Sequence, residues 1–84
     1  MKRDLDLESW RVFCAVADTG SISGACAAAG MDASGVSRTI RGLEAALGGI
    51  RLFDRSIRPL KLTENGERAL ACARQMLASH AALL

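Results

Sequence analysis

Ser21–Arg41 reads SISGACAAAGMDASGVSRTIR, and the punctuation of this stretch decides the fold. Ser21 is a cap residue ahead of the short, alanine-rich run ISGACAAA. Gly30-Met31 breaks that helix, and Asp32 caps the next one. In the second helix Val36, Ile40, Leu43 and Leu47 recur at intervals of four, three and four, which makes one apolar face for burial. The other face carries Ser34, Ser37, Arg38 and Arg41. A short helix, a tight glycine-containing turn and a second helix with a basic outer face form the helix-turn-helix pattern.

The flanking segments extend this unit on both sides. Upstream, Asp6 caps a helix with Ser9 and Trp10 in its first turns. Leu7, Trp10, Phe13 (with Cys14) and Ala17 give it one apolar stripe, and Thr19-Gly20 ends it. Downstream, Gly48-Gly49 is a strong helix stop. Ile50–Arg55 (IRLFDR) and Pro59–Thr63 (PLKLT) then alternate polar and apolar residues around Ser56-Ile57-Arg58, as a β-hairpin does. Thr63 caps a final helix, ENGERALACARQMLASHAALL, with Glu64 in its positive first turn. The expected fold is mainly α, a winged helix-turn-helix of three helices plus a β-hairpin wing over residues 5–63. Within it the helix-turn-helix occupies about 22–41 and the wing about 50–62. A long linker or dimerisation helix follows over 64–84.

The chain has 84 residues, half of them apolar, which allows one small domain with a thin core. Its net charge of +2 says little until it is divided. Residues 1–32 carry three basic and five acidic side chains, a balance of −2. Residues 33–61 carry Arg38, Arg41, Arg51, Arg55, Arg58 and Lys61 against Glu44 and Asp54, a balance of +4. Residues 62–84 balance at zero. The whole excess therefore sits on the second helix of the motif and on the hairpin, the two elements that a winged helix presents to DNA. A solvated polar face is the alternative reading of such a charge run.

Other chemistries find little support. The three cysteines, Cys14, Cys26 and Cys72, are odd in number and match no CxxC or zinc spacing. They fit free thiols used as small buried hydrophobes, with a redox switch as the alternative. The single histidine, His80, is expected at an exposed helix position and cannot build a multi-histidine metal site. No catalytic constellation is present, so neither an enzyme nor a cofactor is expected. No apolar run reaches the roughly 18 residues that span a bilayer, and MKRDLDLESW has no signal core. The expected location is the cytoplasm, at the bacterial nucleoid.

Five fragments in order resemble the N-terminal DNA-binding domain of the LysR-type transcriptional regulators. They are F-x-A-V-A-x-x-G-S at Phe13–Ser21, V-S-R-x-I at Val36–Ile40, L-E-x-x-L-G at Leu43–Gly48, L-F-D-R at Leu52–Arg55 and L-T-x-x-G at Leu62–Gly66. The resemblance covers residues 5–84. It implies a dimeric winged helix-turn-helix on an imperfect palindrome of double-stranded DNA, with the last helix pairing two subunits and the full-length protein able to form a tetramer. It also implies that a small-molecule effector acts only through a further domain absent from this chain. The chain stops at Leu84 in mid-pattern, as a fragment of a longer regulator would.

By that resemblance, base and phosphate contacts map onto Ala33, Ser34, Ser37 and Arg38. Arg38 suits a guanine, whose O6 and N7 match the guanidinium fork. Ser37 reaches a phosphate or a base edge, and Arg41, one turn on, neutralises backbone. Arg58 resembles the family's minor-groove arginine at the wing tip. Arg55 has two readings, a phosphate contact or a pairing with Asp54 or Glu44 that holds the wing. Ser21 and Ser23 offer hydroxyls to phosphate, and Ser21 serves equally well as a cap alone.

The chain also departs from the family. Ala33-Ser34 replaces the common Gln-Pro, leaving at Ala33 only a methyl that can touch thymine. Gly35 and Gly42 lie inside the recognition helix at about 1 kcal/mol each against alanine, and either permit a close approach or loosen the helix. Ala29 replaces the usual leucine, and Met31 fills part of the gap. LGGIRLF is one residue longer than the family spacing, with Gly49 inserted, which is expected to shift the wing relative to the recognition helix.

The last helix has two apolar seams: Leu70, Ala73, Leu77, His80 and Leu84, beside Ala69, Cys72, Met76, Ser79 and Leu83. One is expected to pack on the domain and the other on a partner, and Leu70, Ala73, Leu77 and Leu84 are assigned to dimerisation. A winged-helix protein-interaction module with an incidental basic face is the alternative to the DNA reading.

Overall fold

The computed structural model describes residues 6–84, so the expected domain start at residue 5 lies outside the described residues. The elements run α1 (Leu7–Thr19), α2 (Ile22–Ala29), α3 (Ala33–Ala46), β1 (Phe53–Asp54), β2 (Lys61–Leu62) and α4 (Glu64–Leu83). Every helix starts where a short polar side chain accepts from the backbone N–H three residues on. Asp6 accepts from Ser9 at 2.9 Å, Ser21 from Gly24 at 2.8 Å, Asp32 from Gly35 at 2.8 Å and Thr63 from Gly66 at 3.0 Å. Each such cap is worth about 0.5–2 kcal/mol, a large local signal for a chain this small.

The core lies between α1, α2 and α3 and is closed by the wing and α4. Phe13 is fully buried and meets Trp10 and Phe53 edge-on, at centroid distances of 5.9 and 5.5 Å. Val36, Ile40 and Leu43 bury the predicted face of α3. α1 buries more than its predicted stripe: Val12 and Val16 are enclosed while Leu7 is only half-buried. The reason is that α1 packs against α2, α3 and α4, so two of its faces turn inward.

The wing is shorter than the two predicted runs. Its ladder pairs Phe53 with Leu62 and Asp54 with Lys61 only. The chain arrives through Gly48 and Gly49, both at positive φ (95° and 86°), which stops α3 as the glycine pair predicts. Pairing ends at Asp54 because its carboxylate turns onto the Ser56 N–H and hydroxyl. Leu52 and Phe53 are buried, and Leu60 N–H donates to Gly20 O at 2.8 Å, so both legs of the wing rest on the helical body.

α4 enters against the base of the wing. A Cβ at Gly66 would run into the carbonyl oxygen of Leu52, so only glycine lets the two backbones meet. Further along, Ala73 is fully buried and Leu70 and Leu77 pack on the core. Arg74 pairs with Asp18 of α1 at 2.6 Å. Among the described residues no helix is long and apolar enough to cross a membrane.

Candidate nucleic-acid interface

Because Asp32 is the cap, α3 starts at Ala33, and the face opposite Val36 and Ile40 is open to solvent. Ala33, Ser34, Arg38 and Arg41 are exposed and Ser37 is half-buried. With Ile22 they line a shallow cleft of about 480 Å³. An adjoining cleft of about 560 Å³ is lined by Ser21, Ile22, Ser23, Ala33, Ser37, Arg55, Arg58 and Leu60. The two share Ile22, Ala33 and Ser37. The N-terminal ends of α2 and α3 and the wing therefore open onto one surface, and the structure brings together every residue predicted to touch DNA.

The arginines on this surface differ in their freedom. Arg38 has no hydrogen-bond or ion-pair partner among the described residues. Arg41 Nη2 donates to Ser37 Oγ at 3.0 Å, one turn back. Arg58 Nη1 donates to Arg55 O at 2.8 Å and Ile57 O at 3.0 Å, so the guanidinium lies along the wing tip although the residue is exposed. Ser21 spends its hydroxyl as the cap of α2, whereas Ser23, exposed in the same first turn, keeps its hydroxyl unpartnered among the described residues.

Of the two readings of Arg55, the structure favours wing-holding, and it names the partner. Arg55 Nη2 lies 3.3 Å from Glu44 Oε1, while Glu44 Oε2 accepts from Leu52 N–H at 2.9 Å. Asp54 is occupied by Ser56, and those two hydrogen bonds hold its carboxyl below the usual carboxylate range. Glu44 is the functional residue that sequence reasoning undervalued. It is buried, one of its oxygens anchors the start of the wing, and the other restrains an arginine of the candidate surface. Its signal was present: Glu44 follows Val36 and Ile40 at intervals of four and so shares their inward face.

Three expectations need correction. Leu70, Ala73 and Leu77, assigned to dimerisation, pack on the chain's own core, Ala73 fully buried and Leu70 and Leu77 half-buried. Of that group only Leu84 is free, at 94% exposure. The other seam turns its larger apolar side chains outward, with Cys72 exposed, Met76 39% exposed and Leu83 86% exposed, while its Ala69 packs on the core. His80 continues the inward stripe; it is half-buried, with Nδ1 enclosed and lacking a hydrogen-bond partner, not exposed as expected. The cysteines divide: Cys14 is buried, which raises its thiol pKa, Cys26 is half-buried, and Cys72 is no buried hydrophobe. Among the described residues no cluster of His, Cys, Asp and Glu could hold a metal ion.

The comparisons with known proteins agree with this geometry. The family model described as bacterial regulatory helix-turn-helix protein, lysR family, matches residues 7–67, from the start of α1 into α4. A probable hydrogen peroxide-inducible genes activator of Mycobacterium xenopi is 39% identical over 71 residues, which is 84% of this chain and 37% of that protein. An uncharacterised helix-turn-helix-type transcriptional regulator of Azotobacter vinelandii is 42% identical over 73 residues, 87% of this chain and 50% of that protein. The chain thus spans half or less of the length of these curated relatives. Among solved structures, the DNA-binding domain of BenM in complex with benA site 1 DNA superposes with a TM-score of 0.89 at 30% identity, covering 94% of this chain and 88% of that one. A family model that spans the three-helix body, the wing and the start of α4 leaves one assignment: the chain belongs to the lysR family of bacterial regulatory helix-turn-helix proteins.

Proposed function

We propose that the chain binds double-stranded DNA sequence-specifically, with α3 in the major groove and Arg58 in the adjacent minor groove, as the DNA-binding domain of a bacterial transcriptional regulator. The observation that carries this reading is the single surface formed by α2, α3 and the wing, on which four arginines and four serines converge while the first third of the chain holds the acidic excess. Arg38, free of internal partners, reads guanine, and the methyl of Ala33 faces thymine. Ser23, Arg41 and Arg55 meet phosphates, Arg55 from its restraint on Glu44. Arg58 leaves its carbonyl partners to enter a narrow minor groove, where A·T tracts concentrate negative potential.

Residues 64–84 act as the linker helix. Two copies pair through its outward seam of Cys72, Met76 and Leu83 with Leu84, which matches an imperfect palindrome with two-fold protein symmetry. A small-molecule effector, a tetrameric assembly and residence at the nucleoid would belong to a longer regulator of this type.

Binding to duplex DNA as a function of salt tests the reading. Each phosphate neutralised contributes about −0.9 to the slope of log affinity against log salt, so a subunit with two such arginines, Arg41 and Arg55, gives about −2. Arg38→Ala loses about 1–3 kcal/mol on the selected site and much less on random DNA. A flat salt dependence overturns the proposal in favour of a protein-interaction module.

A further inference from the structure

The hydrogen bond inside the recognition surface has a direction, and the direction carries information. Arg41 has only donors, so in its 3.0 Å contact with Ser37 the serine oxygen accepts. A serine hydroxyl holds one proton and two lone pairs. One lone pair is taken by Arg41, and the proton has no acceptor among the described residues. In the same helix Thr39 has the opposite fate, its hydroxyl donating back to Gly35 O at 2.9 Å. Ser37 thus keeps its proton available on the cleft that it shares with Ala33, Ser34 and Arg38. The guanidinium also polarises the hydroxyl, which strengthens it as a donor.

We propose that Arg41 is a positioning residue that turns Ser37 into a one-way donor, so that Ser37 reads an acceptor atom of a base, a purine N7, guanine O6 or thymine O4, beside the base pair read by Arg38. The inference rests on the DNA reading above and deepens it. With Arg38 carrying donors only and Ala33 carrying a methyl, the first two turns of α3 match acceptor atoms and the thymine methyl and match neither of the donor groups, adenine N6 and cytosine N4. Arg41 keeps its remaining N–H groups for phosphate, so it has two separable effects: one on all duplexes alike and one on a single base pair.

The experiment is a selection on random duplexes with the wild-type chain, followed by affinities for all single-base-pair replacements in the selected half-site. Ser37→Ala, Arg41→Met and the double variant are measured on the same panel, with thermal melts to confirm that each folds. Ser37→Ala is expected to lose about three- to tenfold of preference at one base pair, the scale of a single hydrogen bond. Arg41→Met is expected to weaken every duplex, lower the salt slope by about 1 and reduce the preference at that same base pair. In the Ser37→Ala background it should weaken binding uniformly and leave the preference profile unchanged. A profile unaltered by Arg41→Met would show that Arg41 meets only phosphate, and a profile unaltered by Ser37→Ala would show that Ser37 reads no base. Either result overturns the inference while the DNA reading stands. Failure to select any duplex removes the DNA reading itself, and this inference with it.

Discussion

The wing and α4 are both appended to the same three-helix body, and both are tied to it by an arginine–carboxylate pair. Arg74–Asp18 is the shorter at 2.6 Å, and it joins residues 56 apart in sequence. Arg55–Glu44 is longer at 3.3 Å and spans 11 residues. Yet the longer contact carries more of the architecture. Asp18 and Arg74 are both more than half exposed, where an ion pair contributes about 0–1 kcal/mol. Glu44 is buried, and its second oxygen serves the backbone of Leu52. Removing a buried acceptor leaves a buried N–H without a partner, which costs about 1–3 kcal/mol. Contact length is a poor guide to value here; burial and the number of groups served are better ones. α4 is held instead by apolar contact and by the glycine that admits its first turn.

The comparison can be broken at five positions. The largest effect is expected from Gly66→Ala, which forces a methyl into the Leu52 carbonyl and separates α4 from the wing at once. We expect a loss of about 3 kcal/mol in a urea melt, at the upper end for overpacking because a backbone atom is the obstacle. A loss below 1 kcal/mol would mean that the two backbones can part cheaply. Next comes Leu77→Glu, a charge set against the core, with a loss of about 2 kcal/mol. Its counterpart on the outward seam, Met76→Glu, should leave the melting temperature within a few degrees and lower the mass of any dimer seen by light scattering. If the two variants behave in reverse, α4 is turned the other way.

Glu44→Gln sharpens the contrast at the wing. Glutamine keeps an acceptor for Leu52 N–H and removes the charge facing Arg55, so a loss of about 1 kcal/mol is expected. The Arg55 side chain should gain mobility in NMR relaxation. The smallest effect is Asp18→Asn, expected to cost about 0.5 kcal/mol or less and to disappear in 1 M salt. A cost as large as that of Glu44→Gln would overturn the ranking by burial.

Local signals were legible in the sequence and long-range choices were not. Asp6, Ser21, Asp32 and Thr63 are each followed by a helix within one residue, because a cap is satisfied by the backbone three positions away. The α3 face of Val36, Ile40 and Leu43 was equally plain, since periodicity needs no knowledge of the neighbour. The convergence of Ser37, Arg38, Arg41 and Arg58 on one surface followed from element order. What escaped depends on contacts between distant residues. The two seams of α4 are similar in composition, and only packing against the rest of the domain, α1 above all, decides which one turns inward. Glu44 reads as polar in composition but faces the core, because Leu52 and Arg55 arrive from beyond the glycine turn to satisfy it. The wing stopped short of its alternating pattern at Asp54, where a side chain competes with the ladder for a backbone N–H.

The aromatic cluster also decides how such measurements can be read. Trp10 is the single tryptophan of a chain without tyrosine, and it is buried at 6% exposure beside Phe13. Ultraviolet emission from this protein therefore comes from one indole at the heart of the domain. It should shift to the red on unfolding and respond little to a duplex laid across α3, where no aromatic residue lies. The chain carries a built-in reporter for its own melting and none for its ligand, so a binding titration calls for a label on the DNA.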